Sequence, residues 1–104
     1  MQSKKQKWRT SKEYKAWRKE VMSVCSDTCT ACGKVSSHNH VHHVKCASYN
    51  PELKFEVENG TVLCKTCHML LHTVYKKSYR SKVDEADLTD FLTIAHHYLK
   101  LSNL

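Results

Sequence analysis

At 104 residues, 40 % of them hydrophobic, the chain suits one small domain with a thin core, and its formal net charge of +7 points to a polyanionic partner. No apolar run approaches the roughly 18 residues of a membrane span, and the amino terminus is charged where a secretory leader would be apolar. A soluble, unexported, cytoplasmic protein is therefore expected; two Gly, one Pro and no internal repeat argue against low-complexity or stacked-unit architectures.

The charge is unevenly placed. Residues 1–24 carry eight Lys/Arg against two Glu, residues 25–72 carry four of each sign, and residues 73–104 carry five basic and four acidic groups. The positive field thus comes mainly from an amino-terminal arm with Lys4, Lys5, Lys7, Arg9 and Lys12. Trp8, Tyr14 and Trp17 interleave with it. Such aromatics can stack on sugars or bases, while Tyr14 and Trp17 equally suit the packed face of an amphipathic helix.

That helix is predicted over residues 11–24. Thr10 followed by Glu13 has capping-box spacing, and Tyr14, Trp17 and Val21 recur at helical spacing on one side. From residue 25 to 60 the pattern becomes short and turn-rich, with two candidate strands at residues 41–44 and 61–63. Cys67, Leu70, Leu71 and Val74 restore a helical period, predicting a second helix over residues 65–79. A last helix follows the basic link "KKSYRSK". It has Asp84, Glu85 and Asp87 early, Lys100 late, and a core stripe of Leu88, Phe91, Leu92, Ala95, Tyr98 and Leu99. His96 and His97 have no ligand type beside them in sequence and read as structural or exposed.

Six cysteines in a chain without a secretory leader favour metal over disulfides. "CTAC" (Cys29, Cys32) and "CKTC" (Cys64, Cys67) are two CxxC pairs, and four thiolates satisfy tetrahedral zinc. The second pair opens the predicted helix, whose free amides and dipole help to keep thiolates ionised. Gly33 suits the left-handed turn after the first pair. Residues 33–63, between the pairs, are too many for a compact ribbon and must hold further structure. Cys25 and Cys46 read as small buried hydrophobes.

The histidines form two groups. His68 and His72, spaced i and i+4, share one helix face and can grip a common ion or phosphate. His42 and His43 are adjacent, so in an unbroken strand they point to opposite faces and take different roles. One imidazole can ligate a metal beside the helix histidines while the other stays near neutral to take a proton from water. His40 shares a strand face with His42 and is read as exposed, or else as flanking the metal.

"CTACG", "VHHV" and "NGTVLCKTCHMLLH", in this order, resemble the zinc-containing, four-cysteine branch of the HNH endonucleases. The resemblance covers residues 29–72, and "YKAWRKEV" is similar to the helix that often precedes the motif in phage-type members. It implies a ββα-metal unit that hydrolyses DNA phosphodiester bonds. His43 would be the general base and His42 a catalytic-metal ligand. Asn59 would fix the loop that orients the base, although in other branches an asparagine ligates metal. His68 and His72 would be further ligands, His72 alternatively contacting phosphate, and Cys29, Cys32, Cys64 and Cys67 would hold structural zinc. Where many members place an Asp, this chain has imidazole, so manganese, nickel or zinc stand beside magnesium as the catalytic metal.

The expectation is thus one α+β domain spanning residues 1–104. A basic arm and helix (1–24) precede a zinc-braced ββα-metal core with zinc knuckles (25–79), and a carboxy-terminal helix (80–104) follows. DNA is the expected partner, contacted by Lys4, Lys5, Lys7, Arg9, Lys12 and Lys76, with no membrane involved. The alternatives are a zinc-braced DNA-binding module without catalysis, or a phage packaging accessory that docks on a larger enzyme.

Overall fold

The structure is a computed structural model, described for residue 8 and for residues 10–75 and 83–102, with side chains as far as residue 98. Helix α1 spans Lys12–Val24, strand β1 His40–His43, strand β2 Gly60–Leu63, helix α2 Lys65–Tyr75 and helix α3 Glu85–Ser102. Two short 3-10 turns, Pro51–Leu53 and Val57–Asn59, lie in the long connection between the strands. Residues 76–79 of the second predicted helix lie outside the described residues. Among those described, no helix is long and apolar enough to cross a membrane.

α1 begins one residue later than the Thr10 capping box implies. The Ser11 hydroxyl accepts from the Tyr14 amide at 3.1 Å and donates to the Trp8 carbonyl at 2.6 Å. It therefore caps the helix and ties down the end of the arm, and Glu13 is left to act on the helix dipole from the first turn. α3 starts with a reciprocal cap: the Asp87 amide donates to the Asp84 carboxylate at 2.9 Å and the Asp84 amide to the Asp87 carboxylate at 3.2 Å.

The strands pair antiparallel, with His40 opposite Leu63, Val41 opposite Val62, His42 opposite Thr61 and His43 opposite Gly60. The two-residue alternation of a strand sorts the core into two layers. On one side Val62 packs with Trp17, Val21 and Met22 of α1, joined by Val41 and Phe55. On the other, Leu63 packs with Leu71 of α2 and with Val83 and Leu88, joined by Phe91, Leu92 and Ala95. α1 can lie this close because residue 60 is glycine: a Cβ there would sit 2.5 Å from a Val21 methyl and 3.0 Å from the Trp17 ring.

The predicted apolar faces are only partly used. Leu70 and Val74, from the apolar repeat that marks α2, and Tyr98, expected in the core stripe of α3, are exposed, as is Ile94. A two-stranded sheet has room for one helical layer per face. The outer sides of α2 and α3 consequently form an apolar groove of about 520 Å³.

Candidate metal centres and the histidine site

The first knuckle is a tight hairpin. The Cys29 amide donates to Lys34 O at 2.8 Å, and Gly33, at φ +82°, closes the turn in the left-handed region as expected. Thr30 pins the knuckle to β2 through the Val62 carbonyl (2.8 Å) and the Thr61 hydroxyl (2.7 Å). The second pair caps α2. In each pair the amide of the last cysteine points at the sulfur of the first, Cys32 N to Cys29 Sγ and Cys67 N to Cys64 Sγ, both 3.4 Å.

These turns bring Cys29, Cys32, Cys64 and Cys67 into one cluster, with all four sulfurs within 4.8 Å of one another. Cys32 and Cys64 Sγ are 3.6 Å apart. Four thiolates at about 2.3 Å from a tetrahedral zinc would be separated by about 3.8 Å, so the cluster is sized for one ion. Burial opposes ionisation of Cys29, but hydrogen bonds from the backbone of Cys32, Cys64 and Ala31 outweigh it and bring the thiol down to about 7. Burial, reinforced by neighbouring thiols, pushes Cys67 up, as burial does Cys32. Cys32 and Cys67, which burial keeps from ionising alone, would gain by sharing a cation with Cys29. Cys25 and Cys46 are half-buried and outside the cluster. Cys46 instead lines the histidine cavity described next.

β1 divides its histidines between the two faces of the sheet. His40 and His42 turn toward α2, where His68 and His72 stand one turn apart. His42, His68 and His72 each offer a ring nitrogen within 4.8 Å of the others. The His68 and His72 Nε2 atoms are 3.2 Å apart, against about 3.0–3.4 Å for two imidazoles each about 2.0–2.1 Å from a shared ion. Among the described residues, His42 Nε2 is the buried side-chain nitrogen or oxygen that makes no hydrogen bond. A buried polar atom without a partner is costly in a folded chain, and a cation would satisfy it. Burial first, then His68, His72 and His43, drives His42 down to about 3; burial, then His72 and His40, brings His68 down to about 4. Both rings are thus neutral near pH 7 and present lone pairs, the state in which imidazole ligates metal.

His43 faces the other way, toward α1. Its ring stacks on Trp17, and its Nε2 lies 2.8 Å from the Lys54 carbonyl. A carbonyl only accepts, so Nε2 carries the proton and the lone pair resides on Nδ1. The residue is 8 % exposed, so the imidazole expected to take a proton from water is largely enclosed. It nonetheless lines the same cavity of about 260 Å³ as His42, His68 and His72.

Asn59 organises the connection that supplies Lys54. Its side chain accepts from the Lys45 amide at 2.7 Å and donates to the carbonyls of Lys45 and Leu53, both at 3.1 Å. Buried at 6 % exposure, it staples both ends of the loop, and Leu53 immediately precedes the carbonyl that holds His43.

Of the expected nucleic-acid contacts, Lys4, Lys5, Lys7, Arg9 and Lys76 lie outside the described residues, while Lys12 is exposed on the first turn of α1. Trp17 is buried and Tyr14 half-buried, so helix packing rather than base stacking occupies them. Trp8 is half-buried and meets His43, Tyr14 and Phe55 edge-on at 5.6, 5.7 and 6.0 Å, with the Lys54 ammonium 5.5 Å from its ring. Trp8 therefore packs beside His43. His96 is exposed, with its Nε2 against the Thr30 carbonyl, and His97 is exposed beside Tyr98.

His40 shares the strand face of His42, as its spacing implies. Instead of standing exposed it is half-buried, with Nδ1 2.8 Å from His68 Nδ1. The signal was its two-residue spacing from His42. Comparison of the chain with protein-family models, with curated proteins and with solved structures found no match in any of the three.

Proposed function

We propose that this protein is a metal-dependent endonuclease of the HNH type that hydrolyses DNA phosphodiester bonds. The observation that carries the reading is the sharing of one cavity by His43 and the convergent trio His42, His68 and His72. Cys29, Cys32, Cys64 and Cys67 hold a structural zinc, because their soft donor set and spacing fit that ion. The trio would hold a divalent cation that, when bound, supplies Lewis-acid neutralisation of charge on the phosphate and the departing oxygen. An all-imidazole donor set favours manganese, nickel or zinc over magnesium.

In this reading His43, with Nε2–H held by the Lys54 carbonyl, takes the proton of the attacking water at Nδ1. The water oxygen bonds to phosphorus, the bond to the 3′ oxygen breaks, that oxygen takes a proton from solvent water and His43 later returns its proton to solvent, giving 5′-phosphate and 3′-hydroxyl ends. Asn59 and Trp17 fix the loop and the ring so that the base needs little reorganisation. The basic amino-terminal residues attract the DNA backbone, and their contribution weakens steeply with salt.

The test is nicking of supercoiled plasmid across magnesium, manganese, cobalt, nickel and zinc, with His43→Ala as control. Loss of the base is expected to slow cleavage by about 10²–10⁴-fold while zinc content and DNA binding persist. Undiminished cleavage by that variant would overturn the mechanism. Binding without cleavage by the wild type under every metal would leave a zinc-braced DNA-binding module.

A further inference from the structure

We infer that His40 is a positioning residue for the histidine site: it accepts a hydrogen bond from His68 and thereby holds that ring with Nε2 directed at the bound cation. The inference rests on reading His42, His68 and His72 as a cation site, and it adds a residue outside the trio.

The geometry comes from the strand alternation. His40 lies two residues before His42 on β1, so both side chains reach the face covered by α2. His40 and His68 rings meet edge-on with centroids 5.1 Å apart and planes at 84°, and their Nδ1 atoms are separated by 2.8 Å. Between two imidazole nitrogens at that distance, one must donate and the other accept. His68 Nε2 lies beside His72 Nε2 within the convergent trio. To offer its lone pair there, the ring must carry its proton on Nδ1. His68 is then the donor and His40 Nδ1 the acceptor, which places the proton of His40 on its own Nε2.

Histidines that bind metal usually give their second N–H to a fixed acceptor, which sets tautomer and ring orientation, and loss of that acceptor costs about 10–100-fold in metal affinity. Here a neutral imidazole occupies the place more often taken by a carboxylate or carbonyl. Strand pairing fixes His40 opposite Leu63, so the acceptor sits on the sheet and not on a loop.

Two variants separate hydrogen bonding from packing. His40→Phe keeps a ring and strand propensity but has no acceptor, whereas His40→Asn can place its carbonyl oxygen near the position of Nδ1. The full chain, with zinc retained at the cysteines, is titrated with Mn²⁺ and free ion is followed by electron paramagnetic resonance. His40→Phe is expected to bind Mn²⁺ about 10–100-fold more weakly, and His40→Asn to recover most of the loss. Long-range ¹H–¹⁵N spectra of the wild type before Mn²⁺ addition should show His68 protonated at Nδ1. Wild-type affinity in His40→Phe, failure of His40→Asn to recover, or a proton on His68 Nε2 would each overturn the role of His40. If the wild type itself binds no Mn²⁺, or binds it equally well after His42→Ala, the cation site has failed and the inference with it.

Discussion

Trp17 and His43 lie face to face, ring centroids 4.2 Å apart and planes within 12° of parallel. The same loop holds both rings. Trp17 Nε1–H donates to the Glu56 carbonyl at 2.7 Å, and His43 Nε2–H to the Lys54 carbonyl at 2.8 Å. A helix that reads in sequence as a basic amphipathic segment therefore supplies one wall of the cavity's imidazole. Trp17→Ala should cost about 3–5 kcal/mol of folding stability in urea titrations. Trp17→Phe, which keeps a stacking ring and loses the Glu56 bond, should cost about 0.5–1.5 kcal/mol. If the stack positions a general base, Trp17→Phe should also lower kcat for plasmid nicking with DNA affinity unchanged; a loss confined to affinity would contradict that assignment.

Gly60 sits opposite His43 in the sheet and directly beneath α1. Gly60→Ala would drive a methyl into Val21 and the Trp17 ring, at 2.5 and 3.0 Å, and neither is the tip of a flexible chain. The expected cost is about 1–3 kcal/mol, the usual range for overpacking. Val21→Ala opens the space that the new methyl needs, so the double variant should lose less stability than the two single losses added together. Strict additivity in that cycle would show that the contact with Val21 is not the cause.

Much of this architecture was legible because short-range rules governed it. The two CxxC pairs announced a four-thiol cluster, strand periodicity announced that His42 and His43 would part company, and the i, i+4 spacing announced the pairing of His68 with His72. What escaped were relationships set by chain reversal over long separations. Nothing in the sequence near Trp17 says that it will meet His43, and nothing near Lys54 says that its carbonyl will fix the tautomer of that ring. His40 was half-legible: its strand face was evident, but its partner on α2 was not. Leu70, Val74 and Tyr98 misled because apolar periodicity reports a face able to be buried, whereas burial also requires an element to cover it. The helix start was misplaced by one residue because Thr10 and Ser11 are both competent caps, and the Trp8 carbonyl that engages Ser11 decides between them.

If the four cysteines hold the proposed zinc, its removal should unfold the domain, not merely inactivate it. Cys29, Cys64 and Cys67 belong to the same buried cluster as Leu63, Leu71 and Leu88, one of the two core layers, and a domain this small is not expected to keep one layer without the other. Elemental analysis should find about one zinc per chain at this site. Stripping it with a strong chelator at pH 7 should abolish the far-ultraviolet helix signal and the near-ultraviolet tryptophan signal together, and readdition should restore both. Retention of native near-ultraviolet dichroism in demonstrably zinc-free protein would show that the knuckles are dispensable for folding.

The histidine site should make the protein acid-sensitive when no divalent cation fills it. His42 falls to about 3, through burial and then through His68, His72 and His43; His68 falls to about 4, through burial and then through His72 and His40. The ordinary value for both is 6.5. As pH drops below that, the unfolded chain takes up protons that the folded chain refuses. Stability is therefore fully present above about 6.5 and declines toward the folded values near 3 and 4. Thermal unfolding of zinc-loaded protein with the imidazole site empty should show Tm falling from pH 7.5 to 5.0, more steeply in the wild type than in a His42→Gln, His68→Gln double variant. Saturating Mn²⁺ at pH 6 should oppose the fall in the wild type alone, because the cation competes with protons for the same nitrogens. Equal slopes in the two proteins would place the acid sensitivity elsewhere in the chain.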